Sequence, residues 1–510
     1  MMTISEVLRG VELLRRAGPD ASIGGIEYDS RRVVEGSLFV AMHGGTSDGN
    51  RFLGSAVRQG AVAVVTDSAA AFDTAVREFP NLALVEVAHG RKALVGLARN
   101  LFGHPEATLA LSGVTGTNGK TTTAFLLDAM LNHAHRKTVL VGTIEYHVGK
   151  EVRQSPHTTP ESRDLLELFA EGVALGATEA VMEVSSHALE QGRAWGLPFD
   201  VAIFTNLTRD HLDFHGTMER YFAAKRSLFD GRNGEAPRVA VVNLDDPHGL
   251  EISDSARSAG AAVYGYGMSA GEFRASDVEM SASGMRFALE SPFGKVALAT
   301  QLTGKVNVYN LLAASAAALA RGLSLEEAVA GAAALAHVPG RFEIVDAGQP
   351  FTVVVDYAHT DDALKNLIAL AREFVSPGGG RVITMFGCGG DRDRTKRPLM
   401  GRVAAEGSDF VVYTSDNPRT EDPMMILNEA MAGGIPLGTP SLVDPDRANG
   451  IRQAIHAAGV GDIVLLAGKG HEKVQVLRDQ TISFDDSEVA RRVLRGLGYE
   501  KAAGNGVVGH

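Results

Sequence analysis

Lys120 and Thr121 close a run of spaced glycines, Gly113, Gly116 and Gly119, in the segment GVTGTNGKT (113–121). An apolar run precedes this segment and a helix-period stretch, TTTAFLLDAMLNHAH, follows it. In that setting glycines let backbone N–H groups wrap phosphate oxygens, and the helix start adds positive potential. Lys120 would then reach the terminal phosphates and the Thr121 hydroxyl would hold Mg2+. The spacing is G-x-x-G-x-x-G-K-T, with Val114 where the strict phosphate-loop pattern has glycine. The loop points to a nucleotide and leaves the reaction open.

Two further groups could work beside it. Glu183 lies in EAVMEVSSH (179–187), and DHLDFH supplies Asp210, His211, Asp213 and His215. These residues could add ligands for a divalent cation, although Mg2+ prefers oxygen to imidazole. Alternatively they solvate loops that follow strands. Lys225 sits in TMERYFAAKRSLF, where Thr217 is suited to cap a helix and Phe222, Lys225 and Phe229 share one stripe. One reading has the lysine snorkel along the phenylalanine surface. The other is a partly buried amine with a depressed pKa. Such an amine, when neutral, can add CO2 and become a carbamate, which turns a cation into an oxygen ligand.

Positioning these residues requires a particular architecture. Short apolar runs end in polar or Gly-rich clusters at 107–121, 179–187, 200–211, 238–246, 351–359, 381–394, 409–419 and 462–472. Rich in Val and Ile and without alternation, they read as strands buried on both faces. Helix-period segments between them give the α/β pattern of a parallel sheet. Ligands bind such sheets at the carboxyl ends of the strands, where the reactive residues fall here. The strands form two blocks, about 108–246 and 345–490. Residues 262–305 alternate polar and apolar, which predicts a small antiparallel patch. Residues 1–105 form a third unit with SLFVAMHGG and AVAVVTD as strands, and the tail KAAGNGVVGH is expected to fray.

The 510 residues suit about three domains. At 45% hydrophobic and 22% charged, the chain is neither disordered nor disulfide-built. The net charge of −12 disfavours a nucleic-acid binder. A lone cysteine, Cys388, excludes an internal disulfide and points to the cytoplasm. No signal peptide or membrane span is expected.

Taken together, the motifs resemble the Mur ligases of peptidoglycan precursor synthesis. The resemblance rests on YDSR (28–31), GVTGTNGKTTT, HTTP (157–160), EVSSHAL (183–189), NLTRDHLDFHGT and the Lys225 helix. It continues through NVYN (307–310), GRFE (340–343), DYAHT (356–360), GCGGDRDRTKRP (387–398), DNPRTEDP (416–423) and AGKGHE (467–472). It implies three domains: 1–106 for the UDP end of a substrate, 107–339 as a central ATPase with a mainly parallel sheet, and 340–510 as a Rossmann-like amino-acid domain.

By resemblance, Gly116, Thr117, Asn118, Gly119, Lys120, Thr121 and Thr122 hold ATP phosphates. Asn310, Arg341 and Asp356 would contact the nucleotide from the neighbouring domain. Thr121, Glu183, His211 and Lys225 as its carbamate (N6-carboxylysine) place Mg2+, with Lys120, His211 and Lys225 serving catalysis. Ser30, Thr46, Thr158, Thr159, Ser185, Gln191 and Arg193 hold a UDP-N-acetylmuramoyl dipeptide. Arg392, Asp416, Asn417, Pro418, Arg419, Gly468 and Glu472 form the amino-acid pocket, where Glu472 could pair with an ammonium. The implied chemistry is ATP-dependent amide formation through an acyl phosphate by a cytoplasmic monomer. Its partners are small molecules only, without nucleic acid.

The added amino acid can be argued from Arg419. meso-Diaminopimelate differs from lysine by a distal carboxylate, and arginine grips carboxylates bidentately. The competing role for Arg419 is to cap a turn or pair with Asp422. Two departures from the family stand out: Asp361 occupies a position usually held by proline, and HGGTSDGN (43–50) matches loosely around Thr46. The alternatives are a sister ligase, either lysine-adding or a folylpolyglutamate synthase, and a non-ligase P-loop ATPase. The latter lacks support from any guanine-reading N-K-x-D.

Overall fold

The computed structural model describes residues 2–44, 47–281, 283–375 and 379–500. Thr46 and the tail from residue 501 lie outside the described residues.

Among the described residues, three α/β units each carry their own sheet. The first sheet runs in the order Arg15–Ala17, Ala83–Glu86, Ala63–Thr66, Ser37–Ala41, Gly25–Glu27, parallel except for its first strand. The central sheet runs Glu151–Gln154, Glu145–Val148, Thr138–Val141, Glu179–Glu183, Ala110–Thr115, Phe199–Phe204, Val239–Asn243, Ala262–Tyr266. Its first two strands form an antiparallel hairpin on the edge, and the other six are parallel. The third runs Glu343–Ile344, Thr352–Asp356, Ile463–Ala467, Val382–Phe386, Phe410–Thr414, Ser441–Asp444.

The apolar strands are buried because helices cover both faces of the central sheet. Helices Lys120–His133, Lys305–Ala320 and Leu325–Ala334 pack together over one face. Helix Ser162–Ala174 contributes Leu165, Leu166 and Phe169 to the core on the other. Gly331 has no room for a Cβ against the backbone of Met130, so these two helices meet closely. The antiparallel patch is shorter than expected, comprising Arg274–Ser281, Gly284–Ser291 and Gly294–Thr300. Ala262–Tyr266 instead pairs in parallel with Val239–Asn243. It is the edge strand of the central sheet, exposed at Ala262 and buried at Gly265 and Tyr266.

Polar contacts join the units. Tyr28 donates to Asp164 (2.5 Å) and Arg163 to the Ile26 carbonyl (3.2 Å). On the other side, Arg209 donates to Thr395 Oγ1 (2.8 Å) and Arg341 to Thr121 Oγ1 (3.0 Å). No helix among the described residues is long and apolar enough to cross a membrane.

Candidate active site

The central sheet places three strand ends side by side. Ala110–Thr115 leads into the glycine loop, and its neighbours end at Glu183 and Phe204, registered opposite Val114 and Thr115. The loop is held by residues that follow the neighbouring strand: Asn206 Oδ1 accepts from Asn118 N (2.9 Å), and Thr205 Oγ1 donates to the Asn118 carbonyl (2.6 Å). Gly116 and Gly119 have positive φ, and a Cβ would collide with Thr205 at the first and Asn310 at the second. These positions require glycine. Lys120 folds over the loop and donates to the carbonyls of Gly116 (3.0 Å) and Thr117 (2.9 Å). Thr121 and Thr122 open the helix.

A cavity of about 680 Å3 lies over this loop, between the central and third sheets. Asn310, Arg341 and Asp356 line it. Asp356 accepts from Phe342 N and Ala358 N (2.8 Å each), and burial raises its pKa despite the nearby Arg341 charge. Arg341 stacks over Tyr357 at 4.7 Å while bonding Thr121.

Glu183 is fully buried, so it does not solvate a loop. Its Oε1 accepts from Thr143 N (2.7 Å) and its Oε2 from the Thr143 hydroxyl (2.9 Å). Lys225 is 1% exposed, which overturns snorkelling. Thr217 caps its helix, Met218–Arg226, as expected. The Lys225 amine donates to the Gly116 carbonyl (2.7 Å) and lies 4.5 Å from the Tyr221 ring. Burial, then the charge of Lys120, drives its pKa well below the ordinary lysine value, against the pull of Asp210. His211 has positive φ, and burial holds its imidazole below the usual range, with Asp210 opposing and Lys225 and Lys120 adding to the shift. Asp213 is exposed, and His215 bonds Ser186 Oγ (2.9 Å), so neither joins Glu183.

These residues fit a divalent cation. A buried carboxylate, a loop hydroxyl, an imidazole held neutral by burial and a buried amine of lowered pKa all lie around the phosphate loop. Among the described residues no group of three or more His, Cys, Asp or Glu could hold a metal unaided. Mg2+ suits such a place, because it takes few protein ligands and completes its shell with phosphate and water.

Behind Glu183, Thr159 Oγ1 donates to the Glu183 carbonyl (2.8 Å) and accepts from Ser185 N (3.1 Å). Ser185 caps the helix Ser186–Gln191, Arg193 donates to the Thr159 carbonyl (2.9 Å), and Thr158 meets Thr143 at 3.0 Å. Gln191 carries a buried Oε1 with no hydrogen-bond partner among the described residues. Ser30 begins the 3-10 turn Ser30–Arg32; its last residue, Arg32, and the nearby Tyr28 both bond Asp164.

The third sheet gathers four motifs at one edge. Asp356, Gly387, Ser415 and Gly468 each end or immediately follow adjacent parallel strands. Arg419 has positive φ and donates to the Gly390 carbonyl (2.8 Å). It does not pair with Asp422, which instead caps the helix Pro423–Gly434. Burial and then the like charge of Arg392 lower its pKa, although an arginine stays ionised. Arg392 and Arg419 thus present two neighbouring guanidiniums, neither ion-paired among the described residues. Glu472 is already engaged through Oε2 by Asn417 (2.9 Å) and Lys469 (3.0 Å), which leaves only Oε1 for an incoming ammonium. Pro418 and Gly468 supply backbone, Gly468 N donating to the Asp356 carbonyl (3.0 Å).

Sequence reasoning missed Thr143, Arg209, Asp362 and Lys469. Asp362 accepts from Asn118 of the glycine loop (3.0 Å), joining the two units across the cavity. The doubled acid of HTDD, beside the unusual Asp361, was the available signal.

Comparison with known proteins agrees along the whole chain. The family description "Mur ligase family, catalytic domain" matches residues 22–101, "Mur ligase middle domain" 114–318, and "Mur ligase, glutamate ligase domain" 340–470. The UDP-N-acetylmuramoyl-L-alanyl-D-glutamate–2,6-diaminopimelate ligase of Solibacter usitatus is 52% identical over 504 residues, covering 98% of this chain and all of that protein. The ligase of the same name from Geobacillus thermodenitrificans is 44% identical over 97% of this chain and 99% of its own. A solved structure of a ligase of this name aligns with TM-score 0.64 at 33% identity, over 93% of this chain and 95% of the other.

Proposed function

The chain belongs to the Mur ligase family, and from that premise we propose that it joins meso-diaminopimelate to the D-Glu side-chain carboxylate of UDP-N-acetylmuramoyl-L-Ala-D-Glu, at the expense of ATP, in peptidoglycan precursor synthesis. The observation that carries the choice of amino acid is the pair Arg392 and Arg419, two neighbouring guanidiniums that form no ion pair among the described residues, with Asp416, Glu472 and Asp391 acting on Arg419 only from farther off. A second substrate carboxylate satisfies them. Lysine has nothing to offer there.

The carboxylate of D-Glu attacks the γ-phosphorus, giving an acyl phosphate and ADP. The amino group of diaminopimelate then adds to the acyl carbon, and the tetrahedral intermediate expels phosphate. Lys120 swings from the loop carbonyls to the transferring phosphoryl oxygens. Thr121, Glu183, His211 and the carbamate of Lys225 would hold Mg2+, which when bound offsets phosphate charge. Asn310, Arg341 and Asp356 hold the nucleotide. Ser30, Thr158, Thr159, Ser185, Gln191 and Arg193 hold the UDP substrate, with Thr46 as a uridine contact. Glu472 Oε1 receives an ammonium, while Asp416, Asn417, Pro418 and Gly468 shape the pocket. Contacts from Asn118 to Asp362 and from Arg209 to Thr395 keep the third unit over the phosphate loop, excluding water from the acyl phosphate.

Residues 1–106, 107–339 and 340–510 divide these tasks, and the enzyme works as a cytoplasmic monomer. The test is product analysis by mass spectrometry with each substrate omitted in turn. The expected product has the mass of the dipeptide nucleotide plus diaminopimelate less one water, with one phosphate released per product. Folded, ATP-binding protein that yields no product would redirect the assignment to folate and other sister substrates.

A further inference from the structure

Behind the amino-acid pocket lies a cation that none of these steps uses. Lys469 has a fully buried side chain, and its Nζ meets three side-chain oxygens: Asn417 Oδ1 (2.9 Å), Glu472 Oε2 (3.0 Å) and Asp416 Oδ1 (3.4 Å). An ammonium has three donors and no acceptor, so its capacity is filled. Its partners come from two strand-end loops, one after Phe410–Thr414 and one after Ile463–Ala467. Those strands are not neighbours, since Val382–Phe386 runs between them. Lys469 therefore spans the strand that separates the two halves of the pocket.

The donor-only character of Lys469 fixes an orientation. Asn417 Oδ1 accepts from Lys469 Nζ and from Val476 N (3.0 Å), so the amide oxygen must face them. The Asn417 amino group is then turned toward Glu472 and donates to its Oε2 (2.9 Å). Both bonds to Glu472 end on the same oxygen. The carboxylate is clamped from one side, with Oε1 directed away from the clamp.

The backbone of the two loops is fastened separately. Arg447, fully buried and paired with buried Asp486 (2.6 Å), donates to the carbonyls of Ser415 (3.2 Å) and Ala467 (3.0 Å). These carbonyls immediately precede the two loops. Lys469 is thus left to set side chains rather than to hold the fold.

We propose that Lys469 is a positioning residue for amino-acid specificity, which orients Asn417 and Glu472 so that Glu472 Oε1 meets the incoming ammonium and which balances the paired carboxylates Asp416 and Glu472. This rests on the reading of Glu472 as the ammonium receptor. Asp416 and Glu472 keep some contact with solvent, so removing the cation does not strand two dry charges.

The experiment is steady-state kinetics of the full-length enzyme with ATP, UDP-N-acetylmuramoyl-L-Ala-D-Glu and meso-diaminopimelate. Lys469→Met is expected to raise KM for diaminopimelate about tenfold or more, with KM for ATP and for the nucleotide dipeptide within about twofold. Lys469→Gln, which keeps a donor in the buried slot, is the second variant should the first not fold, and shifts KM in the same direction by less. Because Lys469 acts largely through Glu472, the loss in the double variant K469M/E472Q should fall well short of the two single losses combined. An unchanged KM for diaminopimelate, an equal rise in all three KM values, or additive losses in the double variant would each overturn the proposal. If E472Q itself leaves KM for diaminopimelate unchanged, the pocket reading falls and this proposal with it. If E472Q impairs diaminopimelate but K469M does not, this proposal alone falls.

Discussion

The Lys225 amine donates a 2.7 Å hydrogen bond to the carbonyl oxygen of Gly116, 109 residues away in the chain. The bond docks the helix Met218–Arg226 beneath the phosphate loop and holds its lysine out of water. No carboxylate pairs with this lysine among the described residues, and Lys120 adds positive charge nearby. Such an amine is costly to protonate and correspondingly available to CO2.

Lys225→Ala should reduce kcat by about a hundredfold or more, the scale expected when a group that places transition-state charge is lost. Short carboxylic acids should restore part of that activity by supplying the missing oxygens. Phosphate release with and without added acetate or propionate is the measurement. No recovery in a variant that still binds Mg2+ would remove the carbamate role.

Arg419→Ala should lower kcat/KM for diaminopimelate by about a hundredfold, in line with the roughly 1.5–3 kcal/mol of a hydrogen bond to a charged group. KM for ATP should change little, because Arg419 stands at the edge of the third sheet and bonds Gly390, away from the glycine loop. Equal losses for ATP and amino acid would contradict the pocket.

Arg209 immediately precedes Asp210 and His211 and reaches the third unit through Thr395 (2.8 Å) and Asp361 (3.4 Å). Arg209→Ala should lower kcat roughly tenfold while costing less than about 1 kcal/mol of stability, because the pair is partly solvated. Paired kinetic and thermal-melting measurements separate the two effects. A large loss in Tm with unchanged kcat would reduce Arg209 to a structural contact.

His215 is buried against Tyr221 and Ser186, and burial above all lowers its pKa from 6.5 to about 4. Its unfolded form binds a proton first as pH falls. The stability it contributes is therefore complete above pH 6.5 and lost as pH drops through about 4. Tm measured from pH 7 to 4 should fall, and His215→Gln should flatten that slope. An identical slope in the variant would assign the acid sensitivity elsewhere.

The strand ends were readable in the sequence because unalternating Val and Ile runs have only one comfortable home, a sheet covered on both faces. Placing the reactive residues after those runs followed directly. What remained hidden depends on pairing between distant segments. Thr143 is an unremarkable threonine until Met182 registers with Val141, which sets it beside Glu183. Lys225 shared its stripe with Phe229, which lies beyond the helix end. Its burial comes from the loop above it, which periodicity along one helix does not report. Lys469 lies between two glycines in AGKGHE, and its burial depends on Asp416 and Asn417 from a distant loop.

In the proposed reaction Arg392 and Arg419 select an amino acid with a second carboxylate. The direct measurement is kcat/KM for meso-diaminopimelate against L-lysine, with saturating ATP and UDP-N-acetylmuramoyl-L-Ala-D-Glu, in the wild-type enzyme and Arg419→Ala. The expected result is a preference for diaminopimelate of at least about a hundredfold in the wild type that collapses in the variant. Equal use of lysine by the wild type would contradict the account while leaving the ligase chemistry in place.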